Sequence, residues 1–164
     1  MDYKEKQLNR SPKQELEKIK LWCAYQERSH NEARLKLQKA GLKENEIANC
    51  ITELISENYL NEERFAKAFA GGKFRIKHWG RIKIKNDLKK HRVSEINIRQ
   101  ALQSIDEKEY IQTLRNLIQK KIKTSGSRQS LTVKAAVYRY LISKGFEPEL
   151  VMEQIQTNFN EHES

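Results

Sequence analysis

Slid against itself, the sequence falls into register with itself three times. Leu37, Leu42, Ile47 and Ile51 superpose on Leu88, Val93, Ile98 and Leu102 at a shift of 51 residues, and on Leu141, Phe146, Val151 and Ile155 at a shift of 104. The apolar spacing is the same in all three copies. A period near 50 residues is the mark of a tandem array of small supersecondary units, each too small to bury much core alone. Gly41 and Gly145 precede the second apolar position in two copies, where a helix ending through the left-handed region needs glycine. Arg92 takes that place in the middle copy and points to a different cap there.

Each unit reads as three helices. Ser11 with Gln14, and Ser29 with Glu32, have capping-box spacing, and Pro12 suits a first helical turn. The first helix then buries Leu16, Ile19 and Cys23, a short second helix runs through Leu37, and a third from Glu44 places Ile47, Ile51, Leu54 and Ile55 on one face. In the second unit a long helix from Asn61 buries Phe65 and Phe69, and Ser94 caps the helix of Ile98, Leu102 and Ile105. In the third, Ile111, Leu114, Ile118 and Ile122 stripe a helix over 107–123. A polar stretch at 124–130 follows, then a helix through Lys144 and another opened by Pro148. The expected fold is all-α: three tandem three-helix repeats, helix-turn-helix-like, in an elongated arrangement. Its units span 13–60, 61–106 and 107–159, between an N-terminal arm of 1–12 and a frayed tail of 160–164.

The segment 73–85 alternates apolar and basic residues around Trp79-Gly80, and by period alone it would suit a hairpin. Repeat register favours helix–turn–helix instead. At the shift of 51, Gly80 falls on the helix cap Ser29, and Ile84 and Leu88 fall on Ala33 and Leu37, one turn apart.

Composition narrows the function. Six Gly and two Pro in 164 residues are too few turn signals for a β-sandwich or barrel. With no apolar run near 18 residues and no signal-peptide core, a soluble, cytoplasmic chain without membrane contact is expected. Cys23 and Cys50 lack metal or disulfide spacing and read as reduced core residues. His30, His78, His91 and His162 show no helical zinc pattern, and no phosphate loop, dinucleotide fingerprint or nucleophile elbow occurs. Acids such as Glu62-Glu63 sit at helix starts, where the dipole accounts for them. No catalytic residue, metal or cofactor is expected, and the chain reads as a non-enzyme.

Its net charge of +10 is unevenly placed. Residues 64–92 hold eleven Lys and Arg against one acid, Asp87, and residues 110–146 hold eight against none. Two such blocks between acidic segments suit a polyanion. The candidate contact residues in the first block are Lys73, Arg75, Lys77, Trp79, Arg81, Lys83, Lys85, Lys89, Lys90 and Arg92. A secondary basic face comprises Lys120, Lys121, Lys123, Arg128, Lys134, Arg139 and Lys144. Lys and Arg neutralise phosphates, and an aromatic ring among them can stack on a base. Trp79 reads first as a packing anchor in the core or between units, and the arginines would serve as well against carboxylates of an acidic protein. Tyr140 aligns with polar Lys36, which suggests exposure.

These features resemble the RecX family of bacterial RecA regulators over roughly residues 15–157. The first unit is similar through Arg28-Ser29, Leu37, Gly41 and the run 51–54. The second is similar through Tyr59-Leu60-Asn61-Glu62-Glu63-Arg64-Phe65-Ala66, Gly80-Arg81-Ile82 and Asp87-Leu88, and the third through Tyr140-Leu141 and Lys144-Gly145-Phe146. His91-Arg92, where a Lys-Gly type ending is usual, and Gly71-Gly72 inside the long helix depart from the pattern. The resemblance implies a non-enzymatic monomer that lies in the groove of the RecA–DNA filament. There it would inhibit or modulate ATP hydrolysis, strand exchange and coprotease activity, and so affect DNA repair, recombination and the SOS response. Its partners would be the RecA filament and single- or double-stranded DNA. The alternatives are a RecA-independent, sequence-nonspecific DNA-binding protein, and a scaffold for an acidic protein.

Overall fold

A computed structural model describes residues 11–125 and 131–160. Residues 1–10 of the expected arm, Arg128 and residues 161–164 of the expected tail lie outside the described residues. The described chain folds into helices throughout: α1 (Pro12–Tyr25), α2 (His30–Lys39), α3 (Glu44–Ser56), α4 (Glu62–Lys77), α5 (Arg81–Lys90), α6 (Glu95–Gln103), α7 (Glu107–Thr124), α8 (Leu131–Ser143) and α9 (Pro148–Asn160). The extensive packing between helices is within the triplets α1–α3, α4–α6 and α7–α9. None of these helices is long and apolar enough to cross a membrane.

Three of the four repeated apolar positions are buried in every copy, while at the fourth Ile155 is buried and Ile51 and Leu102 are half-buried. Leu37, Leu88 and Leu141 are buried, as are Leu42, Val93 and Phe146, and Ile47, Ile98 and Val151. Each such side chain removed from water is worth about 1.5–3 kcal/mol, so the register is enforced three times over. Several stripes differ from expectation: Phe69 on α4 and Leu102 on α6 are half-buried, with Ala101 buried beside Ile98. Ile55 is exposed, because Cys50 rather than Ile55 completes the buried face of α3. On α7 the buried line is Tyr110, Leu114, Ile118 and Ile122, which displaces Ile111 to the flank.

Local signals set the helix ends. Ser29 accepts a hydrogen bond from the Glu32 amide at 3.0 Å while the Glu32 carboxylate accepts from the Ser29 amide at 2.8 Å, closing a capping box. Ser11, Asn61, Ser94 and Asp106 likewise accept from the amide three residues on. At the other end of the second helices, the expectation of a different cap at Arg92 is corrected. Gly41 and Gly145 have φ of 90° and Arg92 has φ of 57°, all in the left-handed region. In each copy this residue's amide donates to the carbonyl three back, and the next amide donates to the carbonyl five back: Gly41 and Leu42, Arg92 and Val93, Gly145 and Phe146. The three share one Schellman cap, and the middle one holds an arginine where the backbone favours glycine. Helix α4 runs unbroken through Gly71-Gly72, and a β-carbon on Gly72 would meet nothing within 4 Å.

The units join by a repeated contact. Ser29, the cap of α2, faces His91 at the end of α5, with Ser29 Oγ 3.3 Å from His91 Nδ1. One repeat on, Gly80 caps α5 and faces Lys144-Gly145 at the end of α8. Here the backbones touch. Gly80 N–H donates to the Lys144 carbonyl at 2.8 Å and Ile82 N–H to the Gly145 carbonyl at 3.0 Å. A β-carbon on Gly80 would lie 2.3 Å from the Gly145 carbonyl, which is why this cap carries no side chain. The described residues form two apolar cores. One spans Leu16 to Leu60, and the other runs continuously through the second and third units from Phe65 to Phe159.

Candidate functional site

The turn between α4 and α5 that meets the third unit also gathers the basic residues. Helix α4 ends at His78 in the left-handed conformation, turning the chain so that Trp79 lies half-buried over the core beside the joint. Lys73 Nζ stands 4.8 Å and Lys83 Nζ 4.6 Å from the Trp79 ring centroid, so the indole lies between two ammonium groups. From the third unit Lys144 reaches across, and its Nζ donates to the Lys77 carbonyl at 2.7 Å. Burial, with Lys83 and Lys77 nearby, holds the Lys144 ammonium below its ordinary pKa. Lys73 and Lys83 flank the Trp79 ring, Lys144 lies near the charges of Lys83 and Lys77, and none of these four lysines pairs with a carboxylate among the described residues.

The other expected contact residues divide. Arg75, Lys85 and Arg92 are exposed and unpaired among the described residues. Lys89 pairs with Glu95 at 3.3 Å and Lys90 with Asp87 at 3.4 Å. At 100° per residue, Lys85 and Lys89 fall on one flank of α5 and Lys83 and Lys90 on the other, so these lysines do not share a face. Arg81 is committed inside the molecule. Its guanidinium stacks 3.9 Å over the Tyr110 ring, pairs with Glu107, and reaches Glu147 at 3.4 Å. Burial works against its charge, but the hydrogen bond to Glu107 and the charges of Glu147 and Glu107 together hold its pKa above the usual value. Tyr110 O–H donates to Glu147 at 2.6 Å and accepts from the Arg81 amide at 3.0 Å. Burial first, then the bond to Glu147, pushes that phenol well above its ordinary 10.0.

The secondary face is less concentrated. Lys121 Nζ lies 4.8 Å over the half-buried Tyr140 ring, and Lys134 Nζ 4.8 Å over Phe159. Lys120, Lys123 and Arg139 are exposed, and of this group Lys144 joins the cluster at the joint. Sequence pattern does not mark what Tyr110, Glu147 and Arg64 do, because long-range partners define their roles. Arg64 Nε donates to Glu27 at 2.5 Å, and its two terminal nitrogens each donate at 2.9 Å to Asn58, one to the side-chain oxygen and one to the carbonyl. No local pattern marks such a residue. Glu62 takes Ser94 Oγ at 2.8 Å and Asn97 Nδ2 at 2.5 Å, tying α4 to the cap of α6. Within Asn61-Glu62-Glu63-Arg64-Phe65-Ala66, therefore, one residue caps, two clamp neighbouring segments and two fill the core. The described residues include no group of three or more His, Cys, Asp or Glu arranged to hold a metal.

Comparison with known proteins follows the same division into units. Residues 61–102 match the family model for the RecX second three-helix domain, and residues 107–155 that for the third. The regulatory protein RecX of Clostridium perfringens strain 13 is 32% identical over 122 residues, covering 73% of this chain and 57% of that protein. The RecX of Halalkalibacterium halodurans is 27% identical over 80% of this chain and 50% of its own length. The matched region thus spans between half and two thirds of these curated relatives. The crystal structure of RecX from Lactobacillus salivarius superposes with a TM-score of 0.80 at 21% identity, over 89% of this chain and 95% of that one. A second RecX crystal structure gives a TM-score of 0.79 at 16% identity, over 89% of this chain and 71% of that one.

Proposed function

Since the chain belongs to the RecX family, we propose that it regulates a RecA recombinase by lying in the groove of the RecA–DNA filament. Bound there, it restrains filament ATPase, strand exchange and coprotease activity, and so acts on recombination, DNA repair and the SOS response. The observation that carries this reading is the set of neighbouring cations Lys73 and Lys83, which stand against Trp79, and Lys144, which reaches Lys77 and lies near Lys83. It is continuous across the second and third units and lacks carboxylate partners among the described residues. A filament groove presents phosphates together with protein acids, and an unneutralised row of ammonium groups suits both. Lys144 supports the point, since a cation with depressed pKa beside two others gains most when an anion arrives. The exposed Lys120, Lys123 and Arg139 extend the contact along the groove. The protein acts as a non-catalytic monomer in the cytoplasm.

The test is charge reversal on one flank at a time. Lys77→Glu with Lys83→Glu should abolish inhibition of RecA ATPase on single-stranded DNA and leave far-ultraviolet dichroism unchanged. Lys85→Glu with Lys89→Glu, on the opposite flank of α5, should reduce inhibition far less. Full inhibition by the first pair would move the contact elsewhere. Salt-dependent DNA binding by the parent with no effect on RecA would favour a DNA-binding protein that acts alone.

A further inference from the structure

The two joints between units differ in kind. Between the second and third units the backbones of Gly80 and Gly145 touch, and Phe74, Tyr110 and Phe146 pack ring on ring at 5.6 and 5.2 Å inside one apolar core. Between the first and second, the apolar cores are separate. The chain leaves one at Leu60 and enters the other at Phe65. The named contacts across that boundary are polar: Ser29 with His91, and Glu27 with Arg64. Arg64 also holds both oxygens of Asn58, the left-handed residue (φ 63°) that ends α3. One side chain therefore grips the connecting segment and the first unit together.

The α1–α2 turn that meets the second unit is also poorly satisfied. Glu27 Oε2, Arg28 Nε and His30 Nε2 are buried there with no hydrogen-bond partner among the described residues. Polar atoms buried without partners cost free energy, so this turn adds little to what holds the units together. The partly exposed Arg64–Glu27 pair offsets that penalty only weakly. Ring packing inside one shared core favours closure at the other joint, whereas here, among the described residues, the two buried cores are separate.

We propose that residues 58–64 form a hinge closed by Arg64, about which the first unit swings against a rigid body made of the second and third. The inference rests on the fold alone and stands apart from the RecA reading. Small-angle X-ray scattering of the full chain tests it. Arg64→Ala should increase the radius of gyration and the maximum dimension over the parent, while amide-exchange protection at Ile19, Leu37 and Leu54 persists, showing the first unit still folded. Unchanged scattering with that protection intact would overturn the proposal. If Arg64→Ala instead strips protection from the first unit, Glu27→Gln decides. Expansion with protection retained supports the hinge, and scattering identical to the parent's refutes it.

Discussion

Replacing Gly80 with Ala puts the repeated joint under direct load. The added β-carbon would stand 2.3 Å from the Gly145 carbonyl carbon and oxygen and from the Phe146 nitrogen. Non-bonded heavy atoms settle near 3.5 Å, so the two turns must part by about 1 Å. That stretches the Gly80 and Ile82 hydrogen bonds, now 2.8 and 3.0 Å, beyond useful length and loosens the Arg81 amide from Tyr110. Losing two or three such bonds at about 0.5–1.5 kcal/mol each, together with the strain of forcing a methyl into a filled contact, destabilises the two-unit body by about 2–4 kcal/mol. At about 2–4 °C per kcal/mol for a chain of this size, the midpoint should fall by roughly 5–15 °C. The assay is thermal and urea unfolding, each followed by Trp79 fluorescence in a Trp22→Phe background, because Trp79 lies beside the joint. Gly72→Ala is the control, since its methyl meets nothing and should stabilise α4 by about 0.5–1 kcal/mol. A Gly80→Ala chain within about 0.5 kcal/mol of the parent would refute the argument that backbone contact fixes the second unit on the third.

Three further substitutions or conditions test separate parts of the structure. Arg92→Gly should raise stability by about 0.5–1 kcal/mol in thermal unfolding, because glycine suits φ of 57° at the shared cap; a loss would mean the arginine side chain matters more than its backbone. Tyr110 is held neutral by the fold, so its contribution is complete below about pH 10 and declines as pH rises above that value. The parent's unfolding free energy should therefore fall faster above pH 10 than that of Tyr110→Phe, which itself costs about 1–3 kcal/mol at neutral pH by stranding Glu147 and the Arg81 amide. Burial raises the Cys23 thiol from 9.0 to about 11, with burial likewise raising Cys50, so at pH 8 native Cys23 holds about a hundredfold less thiolate than the unfolded chain. Alkylation at pH 8 should be slow in the native protein and rapid in denaturant, and equal rates would contradict the burial.

How much of this was legible beforehand can be judged residue by residue. The Ser29–Glu32 box and the Gly41 and Gly145 caps followed from short-range rules, because a capping hydrogen bond or a left-handed turn involves residues within five positions. The hairpin-like alternation at 73–85 yielded to repeat register, because burial of Ile84 and Leu88 one turn apart outweighs a period-two pattern on the surface. Arg92 misled because an arginine in a left-handed cap departs from the glycine rule. The buried line of Tyr110 was missed because its partners, Phe74, Arg81 and Glu147, lie 36, 29 and 37 positions away in the chain. The basic block was visible as composition, but which cations remain unpaired was not.

The amino-acid sequence by itself determined the all-helical class, the threefold register and the positions that must face a core. Those depend on local propensity and on apolar spacing, both written into consecutive residues. Only the tertiary structure decided that the second and third units share one core while the first keeps its own, and that Arg81 faces inward to Tyr110 and Glu147. It likewise brought Lys144 across from the third unit to Lys77 and Lys83, beside the Trp79 ring that Lys73 and Lys83 flank. The reason is distance along the chain. Whether a charge is spent within the fold or left for a partner depends on groups dozens of residues away, which only packing brings together.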